Sequence, residues 1–368
     1  MTKTIQTTKS TEEAVKDFLK TLLEKEKVCG VFTLKKITSK AVAYTLVTDP
    51  AELDDAVPLY PLMPVNAGKL LSRFSLKGSS KKPVIAVVKP CELRGFVELI
   101  KREQGSIDNL FIMSFTCGGV FPTSTEVDGT AEKQLGSYWE TVKKGMVNKD
   151  VRPTCQSCEE FIPYTADITL EVLGKTDIDK QCIMHITSKK GELLFEDNKN
   201  KFIEKDLDTK KLDTIRKQRS QEKEKLYEQL DKKLTNIDGL IEIFSKCLSC
   251  HGCSKVCPIC YCKLCEFESA DAEYGPSQYD SELKKRGGLR VPPGTIYFQL
   301  GRLSHISISC VACGACDDVC PVDIPVAMIF KKIGESVQQM FDYVPGKDYD
   351  EPIPLVTFEN EEFSEIEE

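Results

Sequence analysis

No apolar run in this chain approaches the roughly 18 residues that a membrane-spanning helix needs. The opening residues Met1 to Thr8 contain no apolar stretch of the kind that marks a secretory signal peptide. An excess of basic charge is also missing. Lys plus Arg total 50 against 57 Asp plus Glu, a formal net charge of −7. Such a chain is a poor candidate for sequence-independent nucleic-acid binding. There are only three histidines, His185, His251 and His305. No nucleophile–base constellation, phosphate-binding P-loop or GxGxxG turn occurs. Cysteine is plentiful by contrast, at 17 of 368 residues, with apolar and charged fractions near globular averages. A cysteine-rich, reducing and therefore cytoplasmic protein is the expectation.

Spacing says what the thiols are for. Cys247-x2-Cys250-x2-Cys253-x3-Cys257-Pro258 is one motif, and Cys310-x2-Cys313-x2-Cys316-x3-Cys320-Pro321 repeats it. This is the two-cluster ferredoxin signature, in which the cysteine before the proline serves the other 4Fe–4S cluster. Cys247, Cys250, Cys253 and Cys320 are thus expected to hold cluster 1. Cys310, Cys313, Cys316 and Cys257 are expected to hold cluster 2. Zinc is the alternative, but its sites use paired CxxC units rather than this run. A purely zinc-stapled scaffold protein would be colourless and iron-free. The long spacer from Pro258 to Ser309 resembles the helical ferredoxin modules of heterodisulfide reductase and succinate dehydrogenase subunits.

Ahead of the motifs, residues 11–26 read as an amphipathic helix with Thr11 as N-cap. Strand-like runs follow at Cys29–Leu34, Ala41–Val47, Lys82–Val88 and Leu110–Phe115, with a helical stretch between the last two. Strand, loop, helix, strand describes an α/β unit, and Cys91 and Cys117 each follow a strand end, where such sheets place ligands. The expected fold class is an α/β N-terminal domain plus a mainly helical two-cluster ferredoxin domain, joined by a charged helical linker. The boundaries are 1–203, a linker at 204–246, the ferredoxin domain at 247–335 and an acidic extended tail at 336–368.

Lys89-Pro90-Cys91-Glu92, then Cys117-Gly118-Gly119, then Cys155-x2-Cys158, then Ala166-Asp167-Ile168 form an ordered series. With Cys257-Pro-Ile-Cys-Tyr-Cys262 after the first motif, the series resembles the beta-subunit family of coenzyme F420 hydrogenases and formate dehydrogenases. The resemblance spans residues 30–175 and implies an iron–sulfur flavoprotein. It implies a third 4Fe–4S cluster on Cys91, Cys117, Cys155 and Cys158, and an FAD with Asp167 in its vicinity. The family's glycine-rich flavin loop should appear near residues 65–75, where this chain has Val65-Asn-Ala-Gly68-Lys-Leu-Leu with one glycine.

Cys260, Cys262 and Cys265 stay open between a further cluster completed by Cys29 or Cys182, a zinc knot, and alternative ligands beside cluster 1. His251, inside the first cluster loop, suits a donor to sulfur or a solvent-facing side chain equally. The basic stretch Lys284 to Arg290 suits an acidic partner or a solvated loop equally.

The resemblance implies a subunit that relays electrons from a catalytic formate dehydrogenase or hydrogenase subunit to a heterodisulfide-reductase-type flavoprotein, in the cytoplasm and without substrate site or membrane span. The other reading is a self-sufficient FAD-dependent oxidoreductase. It would exchange hydride with reduced deazaflavin or NAD(P)H and pass single electrons to its clusters.

Overall fold

The computed structural model describes residues 2–38, 41–127, 129–196, 202–269 and 273–356. The first half runs β1 (Lys3–Thr7), α1 (Thr11–Glu24), β2 (Gly30–Thr38), β3 (Ala41–Val47), α2 (Ala67–Ser75), β4 (Val84–Val87), α3 (Pro90–Ile100) and β5 (Leu110–Phe115). It continues through α4 (Ser124–Val127), α5 (Ala131–Lys144), α6 (Pro153–Gln156), β6 (Ile168–Leu170), β7 (Cys182–Ile186), α7 (Lys189–Leu193) and β8 (Ile203–Glu204). The second half is helical: α8 (Thr209–Asp231), α9 (Ile237–Phe244), α10 (Gly252–Val256), α11 (Pro276–Arg286), α12 (Thr295–Ile306), α13 (Ala315–Asp318) and α14 (Val326–Met340).

The strands form one mixed sheet in the order β3-β2-β4-β5-β6-β7-β1-β8. Its centre, β2-β4-β5-β6, is parallel, and both flanks are antiparallel. Every residue of β4 and β5 is buried, as continuous apolar runs in a covered parallel sheet should be. The parallel strands direct their C-terminal ends, and so the Cys91 and Cys117 turns, to one edge.

The N-cap of α1 is Ser10 rather than Thr11. Its Oγ accepts from the Glu13 amide, while Thr11 is already helical and buried. Replacing Ser10 by Ala should cost about 1 kcal/mol in anaerobic denaturant unfolding. A loss within error would mean that the N-cap hydroxyl is not needed here.

The charged segment 204–246 does more than link. Helix α8 buries Leu212, Ile215, Arg219 and Leu230, and so packs on both halves. Its thin apolar stripe suffices because it meets two separate cores. The last segment also departs from an extended tail. Helix α14 continues to Met340. Beyond it, Tyr343 and the Gly346 amide both bond the buried Glu98 carboxylate on α3, and Arg94 donates to the Pro345 carbonyl. Residues 357–368 lie outside the described residues.

Candidate iron–sulfur centres

The two ferredoxin motifs repeat in backbone as well as in sequence. In the first, Ser249 and His251 flank Cys250 with φ of 56° and 56°. In the second, Ala312 and Gly314 flank Cys313 with φ of 53° and 81°. Left-handed residues on both sides of the middle cysteine wrap each loop around a centre. For non-glycine residues this conformation costs roughly 1–2 kcal/mol, and such strain collects at functional sites.

Cys247, Cys250, Cys253 and Cys320 line one small cavity together with Gln299, Ile324 and Phe298. The Gln299 amide donates to the sulfurs of Cys247 (3.7 Å) and Cys253 (3.8 Å), and the Ile324 amide to that of Cys320 (3.3 Å). Cys257 lies close enough to Cys310, Cys313 and Cys316 to act on all three thiols. Burial pushes the Cys310 thiol up to about 12 and Cys313 to about 11. Thiolates so placed need a positive centre to form, which is what bound iron supplies. The donor set is soft sulfur throughout, which fits an iron–sulfur cluster.

The α/β domain gathers its own set. Cys91 opens α3, Cys117 follows β5, and Cys155 and Cys158 lie in and just after the short α6. Cys91 is a near neighbour of Cys117 and Cys155, and Cys155 of Cys158. The Gly119 amide donates to the Cys117 sulfur at 3.4 Å, and a Cβ on Gly119 would come within 3.0 Å of the Cys155 Cβ. This set abuts the second ferredoxin motif. Cys91, Cys155 and Cys313 pack against the same three buried side chains, Met63, Val120 and Ala315. Arg152 holds the seam: its guanidinium donates to the carbonyls of Met63 (3.0 Å) and Cys313 (3.0 Å) and pairs with Asp318. Gly314 must be glycine there, since its φ is positive and an added Cβ would sit 2.3 Å from the Thr154 hydroxyl.

Cys260, Cys262 and Cys265 line a separate cavity of about 700 Å³ with Lys69, Arg73, Lys255, Lys263 and Arg302. Cys260 donates to Cys257, which holds Cys257 below the usual thiol range and Cys260 above it. Cys29 and Cys182 do not join them. Cys29 contacts Ser80 and the Lys82 carbonyl, and Cys182 lies in β7 opposite Thr7.

His251 does not reach sulfur. Its ring stacks on Phe298, and its nitrogens face the Ser249 hydroxyl and the Glu268 carboxylate, each at 3.2 Å. Asp167 is engaged within the sheet, accepting from the Ile112 amide at 2.8 Å and from the Ser188 hydroxyl. It cross-links β5 to the strand ends beside it and faces none of these cavities.

The residues at the expected flavin turn do not fit a dinucleotide's phosphates. A helix N-terminus holds anions through free amides, but here the Ala67 amide bonds Glu92 (3.2 Å) and the Gly68 amide bonds Asn66 (2.9 Å). Lys69, next along, donates to the carbonyls of Lys255 (2.6 Å), Cys257 (2.8 Å) and Cys260 (3.3 Å). The turn is docked on the ferredoxin domain instead.

Sequence reasoning missed the buried arginines Arg152, Arg219 and Arg302. Arg219 sits on the charged helix α8 and Arg152 at the cap of the four-residue α6, and neither context marks burial. The one available signal was that Arg302 lies in the only markedly apolar part of the spacer.

Fold and thiolate sets together define an iron–sulfur protein: a mixed α/β sheet domain joined to a helical 4Fe–4S dicluster domain. The 4Fe-4S dicluster domain family matches residues 243–324, and the family described as the C terminus of the coenzyme F420 hydrogenase/dehydrogenase beta subunit matches residues 81–215. The chain is 32% identical to the F420-dependent formate dehydrogenase 1 subunit beta of Methanococcus maripaludis, over 93% of this chain and 92% of that protein. It is 28% identical to the F420-dependent formate dehydrogenase subunit beta of Methanocaldococcus jannaschii, over 94% of each. This chain belongs to the coenzyme F420 hydrogenase/dehydrogenase beta-subunit family. A chain of the F420-reducing NiFe hydrogenase complex from Methanosarcina barkeri is similar at a TM-score of 0.43 and 13% identity, covering 65% of this chain and 94% of that one. Among the described residues no helix is long and apolar enough to cross a membrane.

Proposed function

We propose that the chain is the electron-transfer beta subunit of a formate dehydrogenase or hydrogenase complex, relaying electrons through three 4Fe–4S clusters in a row. The supporting observation is contiguity. Cys91 and Cys155 share packing with Cys313, and Cys316 shares packing with Cys253 around Phe298. The α/β set, the second set and the first set therefore touch in that order. Cluster 3 would be held by Cys91, Cys117, Cys155 and Cys158, cluster 2 by Cys310, Cys313, Cys316 and Cys257, and cluster 1 by Cys247, Cys250, Cys253 and Cys320. Bound clusters supply one-electron carriers whose potentials follow burial and hydrogen bonding to sulfur.

What the chain's residues do is hold and insulate. Cys117 is buried, Cys91 and Cys155 are half-buried, and the Gln299, Gly119 and Ile324 N–H groups point at sulfurs. At the other end Cys250 and Leu248 are exposed, with Arg290 bonded to the neighbouring Cys247 carbonyl. This end would face the second carrier, for which the family resemblance suggests a heterodisulfide-reductase-type flavoprotein. The catalytic subunit would meet the α/β end.

The engaged amides at Ala67 and Gly68 favour this relay over the flavin-dependent enzyme reading. The test is iron, acid-labile sulfide and released flavin per chain, after anaerobic purification. About twelve irons are expected for three clusters, with no flavin. About eight would reduce the relay to its ferredoxin half, and one flavin per chain would return the hydride-exchanging enzyme.

A further inference from the structure

Among the described residues three arginines, Arg302, Arg219 and Arg94, are buried with no carboxylate paired to them. Arg302 is 3% exposed and Arg219 2% exposed, and among the described residues neither lies in an ion pair. A guanidinium withdrawn from water needs an opposing charge. A fourth buried arginine, Arg152, has one in Asp318. Arg94 donates to the Pro345 carbonyl and lies near Cys310; for Arg302 and Arg219 the negative charge must come from somewhere else.

Their surroundings name it. The Arg302 guanidinium donates to the Cys253 sulfur at 3.0 Å, to the Cys253 carbonyl at 3.3 Å and to Gln299 Oε1 at 3.3 Å. It lies over two rings, Phe298 at 5.6 Å and Phe330 at 4.9 Å. Phe298 packs with Cys253 and Cys316, and Phe330 belongs to the core that includes Cys257, Cys310 and Cys316. The cation thus stands where the two ferredoxin sets meet. Helix α12 comes this close because residue 301 is glycine: a Cβ there would fall 2.1 Å from the Phe267 ring. Arg219 repeats the arrangement at the α/β set. It donates to the carbonyls of Cys117 (2.9 Å) and Cys158 (3.2 Å) and lies 4.7 Å over the Phe161 ring.

We propose that Arg302 is a counter-charge shared by the two ferredoxin-type clusters, and that Arg219 serves the cluster of the α/β domain in the same way. Both are positioning residues that act on potential. Reduction adds negative charge to a cluster, and a fixed cation in a low-dielectric site stabilises the reduced form. One guanidinium between two clusters raises both midpoints together. This inference rests on the relay reading above.

The experiment is an EPR-monitored redox titration of the full chain, purified anaerobically, with iron counted in each sample. In Arg302→Gln at full iron, both ferredoxin midpoints should fall. Arg302→Lys, which keeps the charge, should bring both back towards wild type. Gln299→Leu should lower the first cluster alone, because Gln299 donates only to Cys247 and Cys253. Arg219→Gln should lower only the α/β cluster. Unchanged midpoints in Arg302→Gln at full iron overturn the proposal. A fall in the first cluster alone overturns the shared role. If Arg302→Gln sheds iron, Arg302→Lys decides: full iron with near wild-type midpoints supports the charge role, and loss of iron there too makes the arginine a strut and overturns it. A wild type without two ferredoxin signals would instead sink the relay reading.

Discussion

Arg152→Met will destabilise the protein by about 3–5 kcal/mol, the range for removing one partner of a buried ion pair. Arg152 and Asp318 are both nearly fully buried, so the substitution strands a carboxylate without its cation. Asp318 also accepts from the Thr123 amide at 2.9 Å, but one neutral donor cannot replace a guanidinium. The same change orphans the carbonyls of Met63 and Cys313. These groups come from three separate stretches of chain, so the loss should open the seam between the α/β domain and the second ferredoxin motif. Anaerobic denaturant unfolding, with iron retention followed in parallel, measures it. Arg152→Met combined with Asp318→Leu should recover much of the loss, because no charge is then left unpaired. A single-variant loss under about 1 kcal/mol would mean that water reaches Asp318 and that the seam is held by apolar packing alone.

Cys320→Ser should empty the cluster of the first motif, although Cys320 belongs to the second. The four-thiol cavity places it with Cys247, Cys250 and Cys253. Iron counting in double variants tests the crossing without assigning spectra. Cys320→Ser with Cys250→Ser should lose no more iron than either alone, about four atoms, because both strike one cluster. Cys320→Ser with Cys313→Ser should lose about eight, because they strike two. Uncrossed ligation predicts the reverse pattern. Clusters that fall together in every single variant would make the module one cooperative unit, and ligand assignment would then need the spectra.

Much of the α/β half was legible in advance. The four strand-like runs all appear as strands; β4 is apolar throughout and β5 at every position but Ser114. The helix at residues 11–26 was visible from its period, and its cap was misplaced by one residue because Ser10 and Thr11 are both competent caps. The strands β1, β6, β7 and β8 were not anticipated. They are short, and their pairing is non-local, with β1 lying between β7 and β8 from the far end of the domain. The segment 204–246 read as a linker because its charge density hides a buried stripe that meets two different cores.

Sequence alone determined the chemistry of the thiols. Two-residue gaps let three successive cysteines converge on one centre, so a CxxCxxCxxxCP run carries three of four ligands locally, and repetition made the reading redundant. Family membership likewise followed from the order of short elements. Tertiary structure decided what surrounds those thiols. It brought the Cys91 turn against Cys313, turned the Ala67 and Gly68 amides to Glu92 and Asn66, gave Asp167 to the sheet and placed Arg302 and Arg219 beside the cysteines. None of this is local. Burial of a charge depends on which distant surfaces close over it, and a one-dimensional pattern marks only which residues can be buried cheaply.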